Sequence, residues 1–260
     1  MIDRFKKSKK AKDKWKRMKT NTIIHGDALE ELKKFPENSV DTIITDPPYK
    51  LQFKNPIDLH GRKAFYDSLQ DMDWDKLDIK ELYKNLFPHF DKILKKDGSI
   101  LIFVRTEWIT YCIDEAEKNG FKIKATITWH KTNPVPQVRK KNYLSSTESI
   151  LWFSRWNEEK ILFTFNFKIQ KEMHNFVEFP ICSGKERTKH PTQKPLKLME
   201  RLIEIHTNEE DIILDPFIGS GTTAVACLKL NRKFIGIEKE EEYVKIANAR
   251  IKPFLEQEKL

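Results

Sequence analysis

From Asn21 onward, short apolar runs of β character alternate with amphipathic stretches of helical period, and a chain patterned this way folds as an α/β protein. Thr22–His25 reads as a strand, followed by a helix near Ala28–Lys34 and a turn at Pro36-Glu37-Asn38. Val40–Thr45 reads as the next strand and must stop at Pro47-Pro48, which cannot extend a ladder. Residues 50–75 carry no clear period and read as a long loop. A helix is expected over Ile79–Lys96, kinked or broken at Pro88, then a buried strand at Ser99–Val104 and a helix near Glu107–Lys118. Phe121–Trp129 and Ser149–Phe153 read as strands joined by a polar, basic connection, and 156–189 reads as irregular. The alternation then resumes: a helix from Pro195 to about Thr207, a strand at Asp211–Leu214, a helix at Thr222–Leu230, a strand at Lys233–Ile237 and a last helix at Glu241–Ile251.

Composition narrows the function classes. The 260 residues, 39% hydrophobic and 33% charged, suffice for a sizeable core in one large or two small domains. The longest apolar run, Ile100–Val104, is far too short to span a membrane, and no apolar segment follows the basic N-terminus, so neither a membrane anchor nor a secretory signal is expected. Three cysteines without C-x-x-C spacing argue against a disulfide framework or a zinc ribbon and for a reducing, cytoplasmic setting. Seven histidines show no metal-ligand spacing; His25, His89 and His206 read as packing or surface residues, Cys227 reads as core, and no metal is expected. The phosphate-binding run of nucleotide hydrolases is missing as well.

Two strand ends carry chemistry. Asp46-Pro47-Pro48-Tyr49 stands where Val40–Thr45 stops, and ligands of open α/β sheets bind beyond the carboxyl ends of strands. The prolines stiffen the backbone, leaving Asp46 and the Pro47 carbonyl as fixed acceptors beside an aromatic face; the plainer reading is a proline turn with a surface tyrosine. Asp215-Pro216-Phe217-Ile218-Gly219-Ser220-Gly221-Thr222-Thr223 leads from a strand through two glycines into a helix N-terminus. Glycines there let backbone approach a ligand, and the helix terminus welcomes an anion. Glu238 ends the next strand, where an acid can accept from both hydroxyls of a ribose. This pattern reads as an adenosyl-cofactor site.

Taken in order, Asp46–Tyr49, His190-Pro191-Thr192-Gln193-Lys194-Pro195 and Asp215–Thr223 resemble the β-class amino-group DNA methyltransferases of bacteria, over about residues 21–250. Trp129–Pro136 and Ser146–Leu151 also resemble segments of its adenine-modifying branch. The resemblance implies a Rossmann-like, S-adenosylmethionine (SAM)-dependent methyltransferase sheet, mostly parallel with an antiparallel edge hairpin, in circularly permuted order. The cofactor strands, ending at Asp215 and Glu238, come last in the chain. It divides the chain into a basic arm (1–20), a catalytic half (21–155), a variable target-recognition region (156–189) and a cofactor-binding half (190–260). Departures from the family pattern are the lysine-rich arm and a short variable region before His190.

The implied reaction moves a methyl group from SAM to the exocyclic N6 amine of a flipped adenine in a specific DNA sequence. N4 methylation of cytosine by the same machinery is the alternative, and a DNA-binding subunit that has lost catalysis is the reading from another class. An adenine amine is a poor nucleophile because its lone pair is delocalised into the ring. Asp46 and the Pro47 carbonyl each accept one N–H, Pro48 fixes their geometry, and Tyr49 stacks on the extruded base. With an ordinary carboxyl pKa of about 3.9, Asp46 is too weak a base to take the proton first, so proton loss follows transfer. The cofactor falls to Asp27, Lys194, Asp215, Phe217, Gly219, Ser220, Gly221, Thr222 and Glu238; for Asp27, capping the following helix is an equal alternative. Lys131, Arg139, Lys140 and Lys141 clamp DNA phosphates or form a solvated loop, while Arg139, Lys185 and Arg187 read base edges or, failing that, contact phosphates. DNA and a cognate restriction endonuclease are the implied partners, with a monomer or homodimer as the assembly.

Charge is unevenly placed. Residues 1–19 hold ten Lys or Arg against two Asp, so this segment carries +8 of the chain's +9 and leaves a nearly neutral body. The arm reads as a nucleic-acid contact or as a solubilising tail, and Phe5 and Trp15 fit either. If it lies along DNA and neutralises about five phosphates, its deletion flattens the slope of log K against log salt by about 4 to 5 units. Sequence preference and cofactor affinity should persist. Binding of the full chain and of residues 20–260 at several salt concentrations checks this; equal slopes leave a solubilising tail.

Overall fold

A strand that is apolar at every position needs cover on both faces, and the run Ile100–Val104 receives it inside an eight-stranded mixed sheet. The computed structural model describes residues 19–48, 78–137, 140–155 and 163–257. Most of the basic arm, Tyr49, the expected loop 50–75, Arg139 and residues 156–162 lie outside the described residues. The strands are β1 (Thr22–His25), β2 (Val40–Thr45), β3 (Leu94–Val104), β4 (Phe121–Lys131), β5 (Thr147–Arg155), β6 (Phe176–Phe179), β7 (Ile212–Asp215) and β8 (Lys233–Glu238). Their spatial order is β1-β8-β7-β2-β3-β5-β4-β6. From β1 to β3 every neighbour is parallel, β5 runs antiparallel to both β3 and β4, and β6 is parallel to β4.

Successive residues of a strand face opposite ways, so the sheet carries two cores. Ile43, Ile100, Ile102, Leu151 and Phe153 meet helices α1 (Ala28–Leu32), α2 (Ile79–Ile93) and α3 (Ile109–Lys118). Ile44, Leu101, Phe103, Ile150 and Trp152 meet α4 (Leu196–His206), α5 (Thr222–Lys229) and α6 (Glu241–Gln257). The chain leaves β2 through α2 for β3 on one side, and leaves β7 through α5 for β8 on the other. The strands β2 and β7 are themselves paired, Thr42 with Ile213 and Ile43 with Leu214. The sheet's switch point therefore lies between them, with Asp46 and Asp215 at its mouth.

Several elements differ from their sequence reading. Helix α2 runs unbroken through Pro88, because Leu86, Phe87 and Phe90 are wholly buried around it and hold the turn. Its last expected residues, Leu94–Lys96, belong to β3, and a register irregularity between Val40 and Thr42 absorbs the early start. The antiparallel hairpin β4–β5 lies one strand in from the edge, since β6 pairs outside it from within the stretch read as irregular. Only four residues long and half-exposed, β6 has too little apolar alternation to announce itself.

His206 closes α4 with its ring edge-to-face against the stacked pair Trp152 and Phe165, at 4.6 and 5.5 Å between centroids. Its Nδ1 is buried without a hydrogen-bond partner among the described residues, and burial lowers its pKa to about 3. Unfolded, the ring titrates near 6.5. The stability supplied by the neutral ring is thus complete above about pH 6.5 and drains as the pH falls towards 3. His206→Leu should make the loss of stability between pH 6 and 4 shallower by about 1.4 kcal/mol per pH unit. Urea unfolding at fixed pH reads the slope directly.

Candidate active site

The turn that follows β7 is held from beneath by a buried carboxylate. Asp215 Oδ1 accepts from the Thr45 hydroxyl at 3.0 Å and from the Phe217 amide at 3.1 Å, and Oδ2 accepts from the Thr223 hydroxyl at 2.5 Å. Burial raises its pKa to about 7 despite these donors. Both oxygens already serve the protein, so Asp215 ties the end of β2 to the start of α5. Above it, Gly219 and Gly221 take left-handed backbone, φ +52° and +79°. A Cβ at Gly219 would lie 2.7 Å from His190 Nε2, and one at Gly221 would lie 2.8 Å from the Cβ of Ala247 in α6. The close approaches these glycines allow are to the protein's own side chains. Arg250 of α6 pins the same turn, donating to the Ser220 carbonyl at 2.8 Å and to the Thr222 hydroxyl at 3.0 Å.

Glu238 ends β8 beside that turn. Its Oε2 accepts from the Gly219 amide at 2.9 Å and its Oε1 from the Glu240 amide at 2.8 Å. The Lys239 amide also contributes a hydrogen bond, and the carboxylate keeps acceptor capacity for a ligand hydroxyl. Asp27 caps α1 by accepting from the Leu29 and Glu30 amides at 3.0 and 3.3 Å, both through Oδ1. The geometry expected of a cap is present, and the same residue lines the cavity.

One cavity joins the two motifs. Asp46, Pro47 and Pro48 line it together with Asp27, Phe217, Gly219, Ser220, Thr222 and Glu238. Gly221 stands behind the lining, and Tyr49 lies outside the described residues. His190 and Tyr243, to which the sequence reading gave no site role, complete the wall in edge-to-face contact at 4.4 Å. Burial, aided by the charges of Lys194, Arg187 and Arg250, takes His190 down to about 3, so its ring is neutral. The lining carries five carboxyl side chains, from Asp27, Asp46, Asp215, Glu238 and Glu240, against the ammonium groups of Lys194 and Lys239. Such a lining suits a ligand with a cationic centre and hydroxyls, which are the features of SAM.

Lys194, expected among the cofactor residues, reaches Asp46 instead. Its ammonium pairs with Asp46 Oδ2 and lies 3.4 Å from Glu148 Oε2. Gln193 fixes the preceding backbone, accepting from the Thr188 amide and hydroxyl and donating to the Glu186 carbonyl. The other Asp46 oxygen, Oδ1, is buried without a hydrogen-bond partner among the described residues. Burial pushes the Asp46 pKa up to about 6 against the pull of Lys194. The site thus offers an ionised acceptor with one oxygen tethered and one unpartnered among the described residues.

The residues expected on DNA separate. Lys131 turns inward, 2.8 Å from Glu148 Oε1. Lys140, Lys141, Lys185 and Arg187 are exposed, with Arg187 also donating to the Pro191 carbonyl at 3.0 Å. Glu148 is the functional candidate that sequence reasoning missed. Its only signal is a position in Ser146–Leu151, a segment matched as a block without a role for the acid.

A family model described as DNA methylase matches residues 40–249. The chain is 38% identical over 242 residues to the Type II methyltransferase M2.LlaDCHI of Lactococcus lactis subsp. cremoris and to M2.DpnII of Streptococcus pneumoniae, over 88% of this chain and 88% of each relative. Among solved structures, the M1.HpyAVI–SAM complex shares 38% identity with a TM-score of 0.69, over 88% of this chain and 98% of that one.

Gly221→Ala tests the packing of the turn. Left-handed backbone with a Cβ costs roughly 1–2 kcal/mol and the collision with Ala247 roughly 1–3 kcal/mol more. Urea unfolding should show a loss of about 2–5 kcal/mol; a loss of only about 1–2 kcal/mol, the backbone cost alone, would mean that α6 yields freely.

Proposed function

Because the chain belongs to the DNA methylase family of N6 and N4 amino-methyltransferases, and is therefore a SAM-dependent DNA methyltransferase, we propose that it methylates the N6 amine of adenine, extruded from a specific DNA sequence. One observation carries the reading: Asp46, with Oδ1 buried and without a partner among the described residues, faces the same cavity as Phe217, Gly219 and Glu238. Aspartate ahead of Pro-Pro-Tyr, and the Trp129–Pro136 and Ser146–Leu151 segments, favour adenine over cytosine.

When bound, SAM supplies the electrophilic methyl group. Asp27, Phe217, Gly219, Ser220, Thr222 and Glu238 would hold it, with the remaining acceptor capacity of Glu238 taking a ribose hydroxyl. Asp46 Oδ1 and the Pro47 carbonyl each accept one N–H of the amine, which turns its lone pair out of the ring plane. Positive charge develops on that nitrogen as the new N–C bond forms and the methyl–sulfur bond of the donor breaks, its electron pair staying on sulfur. An ionised Asp46 stabilises the charge and then receives the surplus proton on Oδ1, passing it to water when product leaves. Tyr49 stacks on the extruded base. Lys140 and Lys141 contact phosphates, while Lys185 and Arg187 belong to the target-recognition region 156–189. The setting is cytoplasmic, with a cognate restriction endonuclease as partner.

The test is to incubate the protein with labelled SAM and DNA and to identify the modified nucleoside. N6-methyl-2′-deoxyadenosine is the expected product, N4-methyl-2′-deoxycytidine would correct the base, and no labelled nucleoside would overturn the reading. Asp46→Ala should lower turnover by far more than tenfold, above ~1.4 kcal/mol of barrier, with SAM affinity nearly intact. Glu238→Ala should instead weaken SAM binding by tenfold or more, as isothermal calorimetry reads it. Turnover above a tenth of wild type in the first variant would remove the role given to Asp46.

A further inference from the structure

Four charged side chains of alternating sign run across the strand ends: Lys131 at the end of β4, Glu148 on β5, Lys194 before α4, and Asp46 after β2. The strand β3 separates β2 from β5, so Asp46 and Glu148 stand two strands apart. Lys194 spans the gap, its ammonium 4.9 Å from the centre of the Phe103 ring on β3. We infer that Glu148 is a positioning residue for methyl transfer: backed by Lys131, it anchors the Lys194 ammonium on Asp46 Oδ2 and so leaves Oδ1 turned towards the target amine. This rests on the reading of Asp46 as the acceptor of that amine.

Geometry and charge support the inference together. The Lys194 side chain is 8% exposed, so its ammonium needs compensation on the spot, and a single carboxylate supplies only part of it. A lysine head is compact and swivels freely on a long stem. With Glu148 on one side, Asp46 on the other and the Phe103 ring below, it has one resting place. Lys131, 2.8 Å from the second oxygen of Glu148, keeps that acid from turning away. Although burial raises its pKa, Lys194 and Lys131 hold Glu148 below the usual carboxylate range, so it stays charged. The four charges sum to zero, and removing any one leaves a buried charge unbalanced.

Asp46 is faced by Lys194, by Glu148 and Lys131 from the hairpin, and by Asp215 from β7, with neutral His190 nearby. This predicts opposite displacements of one pH profile. Lys194→Met strips Asp46 of its counter-charge while Glu148 remains, so the acid limb should move up by a pH unit or more and turnover at pH 7.5 should fall at least tenfold. Glu148→Gln removes a like charge, so the limb should move down, while the loosened Lys194 lowers the plateau severalfold with KM for DNA and SAM unchanged. Asp215 is present in every variant, so only movement of the limb counts.

The experiment is single-turnover methyl transfer to DNA by the full chain at saturating SAM, from pH 5 to 9. Glu148→Gln is isosteric and keeps one acceptor, so it carries the test should Lys194→Met fail to fold; SAM calorimetry verifies the site in each variant. Limbs displaced in opposite directions, or for Glu148→Gln alone a downward shift with a lowered plateau, support the inference. Unmoved limbs with a uniform loss at every pH, or an unchanged Glu148→Gln profile, would overturn it and leave a structural ion pair. No transfer by the wild-type chain would instead remove the reading on which it rests.

Discussion

The buried Asp215 carboxylate is the constraint from which the rest of this structure follows. It binds Thr45 and Thr223 by their hydroxyls and Phe217 by its amide, joining the last residue of β2 to both ends of the glycine turn. Thr45 and Asp215, 170 positions apart, are thereby fixed as neighbours at the switch point of the sheet. A charge buried so deeply is costly, and its raised pKa of about 7 records that cost. Three donors offset it, and in return β2 and β7 end in register, with Asp46 and the cofactor turn opening on one space.

The glycines of the turn acquire a specific reason from that packing. Left-handed backbone at Gly219 and Gly221 brings the chain under His190 and against Ala247, where any side chain would collide. The turn is pressed between the His190 segment and α6, with Arg250 binding its carbonyl and hydroxyls. Amides near the ligand space are positioned by these contacts, and Glu238 takes the Gly219 amide directly. Rigidity at this place suits the chemistry proposed for the cavity, since a reacting methyl group tolerates little misplacement.

Electrostatics divide the cavity. The side lined by Asp27, Glu238 and Glu240 is rich in carboxylates, which favours a cationic ligand. At its other end Asp46 terminates a balanced row of alternating charges, with Oδ1 buried and unpartnered among the described residues. A pKa near 6 lets Asp46 remain an anion at neutral pH yet accept a proton more readily than an ordinary aspartate. That departs from the weak base anticipated from the free amino acid, and burial is the cause.

Local pattern was enough to reveal the α/β class, the strands β1, β2, β7 and β8, the stop at Pro47-Pro48 and the glycine turn after β7. These depend on side-chain period, proline chemistry and backbone freedom, all written within a few consecutive residues. The permuted order came from resemblance and the pairing of β2 with β7 from the structure, because periodicity names strands without naming their neighbours. Tertiary structure alone decided the remainder. Pro88 stays inside α2 because surrounding packing outweighs its lost hydrogen bond, and β6 exists because the exposed backbone of β4 offers it a partner. Lys194 turned to Asp46, Lys131 turned inward, and Glu148 joined them, since ion pairs across strands depend on register and burial that no local window contains.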